Sequence, residues 1–180
     1  MGAEPYWYYT KYQSDLNAAL NHLRESEFQA GRYNPVIPFL NFPITESSPA
    51  PRAQHESIEE AIEASDADGT RSILDILRVS QTICPYTRDE FKAALLGKGN
   101  YQILEEIFNT AFPLSLEELM ALFGTEQPTH AMVESAIFGN LSSEASDTFW
   151  ESIHRGTARY IIIFANNHPS EIFFIGYSFD

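Results

Sequence analysis

The chain opens with alternating and clustered aromatics, Tyr6-Trp7-Tyr8-Tyr9-Thr10-Lys11-Tyr12, a composition that predicts a β-strand. Leu16, Ala19, Leu20 and Leu23 then recur at helical spacing, with Ser14 or Asp15 placed to cap the first turn and Gly31 to end the helix. Between Tyr33 and Arg52, prolines at 35, 38, 43, 49 and 51 exclude regular helix and central strand. Interleaved Val36, Ile37, Phe39, Leu40 and Phe42 make this stretch an extended segment packed on the body. Ser57-Ile58-Glu59-Glu60 fits a capping box, predicting a short helix to about Ala64 and a turn over 65–70.

From Ser72 to Ser80, Ile73, Asp75, Leu77 and Val79 alternate with Leu74, Ile76 and Arg78. That pattern favours a strand covered on both faces, although one buried helix satisfies it too. The middle reads as helical. Thr87 with Glu90 starts one helix, which Gly97 ends, and Asn100 to Ala111 carries Ile103, Leu104, Ile107 and Phe108 at helical spacing. Ser115 with Glu118 repeats the capping box, Thr129 opens a helix through Ile137, and Ser143 to Arg155 forms the last. Two apolar runs, 158–164 and 171–179, flank a turn at Asn166-Asn167-His168-Pro169, a spacing suited to antiparallel pairing. The expected fold is α+β: an antiparallel or mixed sheet including the N-terminal strand and a C-terminal hairpin, covered by several helices. It forms one domain over 1–180, with 81–111 a candidate helical insertion.

Charge narrows the function. The 180 residues include 11 Lys and Arg against 25 Asp and Glu, a net charge of -14. Such a field repels phosphate backbones and anionic headgroups, so neither nucleic acid nor a membrane is expected as a partner. The single cysteine, Cys84, excludes an internal disulfide framework and any multi-cysteine metal cage. No apolar run approaches the roughly 20 residues of a membrane span. The start, Met1-Gly2-Ala3-Glu4-Pro5, lacks the shape of a secretory signal, which makes the cytoplasm the expected location.

Tyr6-Trp7-Tyr8, Ala30-Gly31-Arg32-Tyr33-Asn34-Pro35, Asp66-Ala67-Asp68-Gly69-Thr70-Arg71, Glu171-Ile172-Phe173-Phe174 and Gly176-Tyr177-Ser178-Phe179-Asp180 together resemble a family of small bacterial proteins whose domain has no assigned function. The resemblance covers the two ends of the chain better than Gln81 to Ala111. It implies a bacterial cytosolic domain and carries no catalytic assignment.

The candidate chemistry is sparse. His55 and Glu59 stand four apart, but a helix starting at Ser57 leaves His55 outside the regular spacing, and a zinc-protease pattern needs a second His at 59. Asp66 and Asp68 begin like a calcium loop, yet the sixth and twelfth positions hold Arg71 and Leu77, so a turn with Asp68 paired to Arg71 is expected. Asp75 interrupts an apolar face, and a buried carboxylate is costly unless paired, so it is a candidate general acid or base, a partner of Arg71 or Arg78, or a sign that the segment sits at a sheet edge. Glu27 lies on the apolar stripe of the first helix and is expected to reach solvent beside Arg24. His130 and Glu134 form a helix pair one turn apart. His22, His154 and His168 have no evident partner, and a reactive Cys84 needs a lowered pKa and a nearby base that the sequence does not reveal. Nucleophile-elbow, phosphate-loop and dinucleotide motifs are missing, and no metal or cofactor is expected.

Two readings follow. The first is a non-enzymatic interaction module that binds a basic protein, as immunity and inhibitor proteins of this size and acidity do. The second is a small enzyme or ligand binder with its site near Arg32, Tyr33 and Asn34 together with Asp66, Asp68, Arg71 and Asp75.

Overall fold

A computed structural model of the chain describes residues 3–65, 68–139 and 143–179. In chain order it contains β1 (Pro5–Lys11), α1 (Leu16–Ala30), α2 (Ile58–Ala64), β2 (Arg78–Val79), α3 (Arg88–Leu95), α4 (Gln102–Ile107), β3 (Thr110–Pro113), α5 (Leu116–Phe123), α6 (His130–Phe138), α7 (Glu144–Glu151), β4 (Ala158–Ala165) and β5 (His168–Tyr177). The strands form one sheet in the order β1-β5-β4-β3-β2. β5 pairs antiparallel with β1 and β4, whereas β3 pairs parallel with β4 and β2. The fold is therefore α+β on a mixed sheet that includes both ends of the chain.

Period-2 alternation along β4 and β5 sorts their side chains into two layers. Tyr160, Ile172 and Phe174 join Tyr6 and Tyr8 of β1 against Leu20 and Leu23 of α1. On the opposite face Ile161, Ile163, Phe173 and Ile175 meet Val133 and Ile137 of α6 and Phe149 of α7. Burial on both faces explains why these strands read as unbroken apolar runs. A third, smaller cluster gathers Phe91, Ile103, Leu104 and Ile107 of α3 and α4 around Phe112 of β3.

Local chemistry sets most element ends. Asp15 accepts the Ala18 amide at 3.0 Å to cap α1, and Gly31 ends it in the left-handed region. The Arg32 amide reaches back to the Glu27 carbonyl at 3.0 Å, closing a Schellman-type turn. Full capping boxes form at Thr87 with Glu90 and at Ser115 with Glu118. Ser57 caps the Glu60 amide, but the Glu60 carboxylate accepts from Glu56 rather than from Ser57, so only half of that box is made. The β4–β5 hairpin turns on Asn166 and Asn167, both at positive φ, the geometry that matches strand twist in a two-residue loop. The proline-rich stretch packs Val36 and Phe42 on the α1 side of the sheet while leaving Phe39 71% exposed.

Three segments depart from expectation. Ser72 to Ser80 is a single 3-10 turn over Ile73–Asp75 followed by the two residues of β2, rather than one strand. The Ser72 hydroxyl takes the Leu74 amide and Asp75 takes the Thr70 amide, and these local bonds displace the strand ladder. The helix expected to reach Ala111 stops at Ile107. Asn109 at φ 58 turns the chain, and its carbonyl takes the Leu77 amide at 2.7 Å, leading into β3. The last helix ends at Glu151, four residues early, with Ile153 and His154 still buried. No helix among the described residues is long and apolar enough to cross a membrane.

Candidate functional site

The residues around Arg32 and Asp75 do come together, but they are turned on one another. Arg32 grips Glu27 through Nε–Oε2 at 2.7 Å and Nη2–Oε1 at 2.6 Å. Glu27 is only 3% exposed and pairs with Arg32, so it neither reaches solvent nor needs Arg24. Arg24 instead donates to the Leu74 carbonyl at 3.2 Å. Tyr33 is fully buried, and its hydroxyl accepts the Gln54 amide at 3.1 Å and lies 2.9 Å from His55 Nδ1. Asn34 bonds the loop opposite, its amide nitrogen reaching the Gly69 carbonyl and its backbone N–H the Thr70 carbonyl.

Asp75 is 7% exposed, and its Oδ1 accepts the Thr70 amide at 2.8 Å. Burial pushes its carboxyl up to about 6, opposed by the Thr70 hydrogen bonds, then by a hydrogen bond from the Arg71 backbone and more weakly by the Arg24 charge. Arg78 is not its partner, since that guanidinium binds Thr110 Oγ1 and the Glu106 carbonyl, each at 2.8 Å. Arg71 sits 3.7 Å from Asp68, donates to the Pro38 carbonyl at 3.2 Å and covers the Phe39 ring. Asp66 lies outside the described residues. These contacts fasten the 33–34 and 68–75 loops to the end of α1.

Of the histidines, His130 and His154 acquire new neighbours. His130 Nδ1 lies 2.9 Å from Glu171, closer than the 4.0 Å between its Nε2 and Glu134, so the expected helix pair is secondary. Its ring stacks on Tyr9, whose hydroxyl donates to Glu134. His154 and Cys84 line one cleft of about 410 Å³ with Arg159 and Glu118. Burial pushes the Cys84 thiol up and the His154 imidazole down, the directions opposite to those that activate a nucleophilic thiolate. Arg159 is held by both Glu118 oxygens, at 2.8 and 2.9 Å, and by Ser152 Oγ at 2.6 Å. Among the described residues no three His, Cys, Asp or Glu side chains are grouped to hold a metal.

The open chemistry lies on α5. Its eight residues include Leu116, Leu119, Met120, Leu122 and Phe123, yet none of the eight is fully buried. Leu116 is 55% and Met120 48% exposed. Between α5 and α7 runs a groove of about 460 Å³, floored by Ala121, Leu122, Ala145 and Phe149 and edged by Glu117, Glu118 and Glu144. Glu118 is neutralised by Arg159, whereas Glu117 and Glu144 make no ion pair among the described residues. Reading the sequence as a core helix missed this surface. The available signal was apolar residues at 116, 119, 120, 122 and 123, which wrap further round the helix than a single buried stripe requires.

No family model, no curated protein and no solved structure matches the chain.

Proposed function

We propose that this is a non-enzymatic, cytoplasmic interaction module whose α5–α7 groove receives a basic, amphipathic segment of a partner protein. The observation that carries the reading is a groove floored by apolar residues, beside a helix whose Leu116 and Met120 stay exposed while Leu119, Leu122 and Phe123 pack inward, and edged by two carboxylates without an ion pair among the described residues, in a chain of net charge -14. Apolar side chains of the segment would fill the floor, and its lysines or arginines would meet Glu117 and Glu144, the usual helix-in-groove arrangement. The net charge steers a basic partner into encounter, and the apolar floor supplies residence. Neutralisation of a basic toxic protein is the narrower form of this reading.

Fluorescence anisotropy with a labelled amphipathic leucine–lysine peptide tests it. Binding is expected to weaken with added salt and to fall about tenfold or more in the Glu117→Lys/Glu144→Lys variant. The Glu56→Lys/Glu63→Lys variant changes net charge equally at α2, across the sheet, and is expected to retain binding. Equal losses in the two variants would reduce the effect to general charge and overturn the reading. Self-association abolished by Met120→Lys would assign the face to a second copy of the chain, with the same consequence.

A further inference from the structure

A second cleft, of about 440 Å³, opens where α3 meets the end of α7 and the end of β5. Arg88, Phe91, Lys92 and Leu95 of α3 stand at i, i+3, i+4 and i+7, so one stripe of the helix lines it. Trp150 and Tyr177 extend the apolar wall, and Arg155 closes the other side. His154, buried and stacked on Phe91 with 4.6 Å between ring centres, backs the floor.

The charge here is opposite to that of the chain. Three of its 11 cationic side chains converge on this one cleft. Arg88 is paired with Glu151 at 3.2 Å, but Lys92 and Arg155 make no ion pair among the described residues. At physiological salt, exposed charges more than about 8 Å away are largely screened, so the nearby cations and not the net charge set the potential inside. Flat apolar walls beside two uncommitted cations form the usual chemistry of a pocket for an amphipathic anion.

We infer that this cleft binds a small organic anion, a flat apolar body carrying one carboxylate, sulfonate or phosphate group. The body lies against Phe91 and Trp150, and the charged group is held by Lys92 and Arg155. The inference is independent of the α5 groove, which has the opposite charge and a different lining.

Titration of ¹⁵N-labelled protein with naphthalene-2-sulfonate, followed by NMR, tests it. Saturable one-to-one shifts are expected at Phe91, Lys92 and the Trp150 indole N–H. The uncharged 2-naphthyl methyl sulfone is expected to bind about tenfold or more weakly, as is the sulfonate to Lys92→Ala/Arg155→Ala. Both replaced side chains are exposed, and a wild-type-like spectrum verifies that the variant is folded. Lys11→Ala/Lys98→Ala removes the same charge elsewhere and is expected to bind normally. Non-saturating shifts, shifts confined to α5, equal binding of the neutral sulfone, or undiminished binding by Lys92→Ala/Arg155→Ala would each overturn the inference.

Discussion

Arg32 and Glu27 are joined twice over, by the paired side-chain hydrogen bonds at 2.7 and 2.6 Å and by the Arg32 amide on the Glu27 carbonyl at 3.0 Å. The helix-ending turn at Gly31 carries residue 32 back over residue 27, so the cap creates the geometry that the ion pair uses.

Breaking that pair strands a buried carboxylate. Arg32→Met is expected to lose about 3–5 kcal/mol of stability at neutral pH, the usual cost of removing one partner of a buried pair. Arg32→Lys recovers only part of it, because an ammonium does not engage both oxygens in a planar fork. Glu27→Leu/Arg32→Met is expected to lie well above the single variant. Urea unfolding checks all three, and a near-neutral Arg32→Met would remove Arg32 from the structural role given to it here.

Asp75 gives stability a pH dependence of unusual sign for a carboxylate. Its native pKa lies above the ordinary value, so the native state holds more protons than the unfolded chain between about pH 4 and 6, and stability falls as the pH rises through that window. A rise from 3.8 to about 6 corresponds to about 3 kcal/mol, at 1.36 kcal/mol for each pKa unit. Asp75→Asn keeps an oxygen for the Thr70 amide and removes the charge. Its stability relative to the wild type is therefore expected to climb across the window and level off above it. Urea midpoints at a series of pH values measure the difference, and a flat difference would contradict the assignment. The buried Tyr6 phenol, pushed up by burial and then by the Asp75 charge, stays neutral throughout.

Gly31 and Gly124 end α1 and α5 in the same left-handed conformation, at φ 73 and 69, but in different surroundings. A Cβ on Gly31 would stand 2.2 Å from the Arg52 carbonyl oxygen, whereas one on Gly124 would meet nothing within 4 Å. Gly124→Ala is expected to cost about 1–2 kcal/mol, the strain of the backbone conformation alone. Gly31→Ala adds to this the displacement of the 52–53 segment, about 1–3 kcal/mol more. Thermal unfolding of the two variants gives the comparison.

The β4–β5 turn offers a test of local register. Asn167 sits at φ 61, where a β-branched residue is strained and glycine is not. Asn167→Val is expected to lose about 1–2 kcal/mol and Asn167→Gly to be at least as stable as the wild type. Chemical denaturation of the pair decides whether this turn sets the hairpin.

What could be read along the chain was what chain neighbours decide. Asp15 and Gly31 bound α1, Thr87 and Ser115 announce α3 and α5, and Asn166-Asn167 closes a hairpin, all through bonds spanning two to five residues. An acidic α+β domain with both termini in its sheet followed from those signals together with composition. Strand β3 gave no such sign, and the strand pattern over 72–80 announced neither the two-residue length of β2 nor its partner. The parallel partners of these strands lie about 30 and 50 residues away, and such pairing is stabilised only once distant segments have met. Asp75 was legible as a misplaced carboxylate. Its partner, the Thr70 amide, depends on the 3-10 turn at Ile73. The same holds for both proposed surfaces: an apolar helix is visible in 116–123, but only the stacking of layers leaves its outer side bare. Likewise Lys92 and Arg155 are ordinary surface cations in sequence, and only the approach of α3 to the end of α7 sets them across one cleft. Capping and turn geometry are fixed by short-range hydrogen bonds written in adjacent residues. Which faces end up covered depends on long-range packing, in which each element's exposure is set by every other.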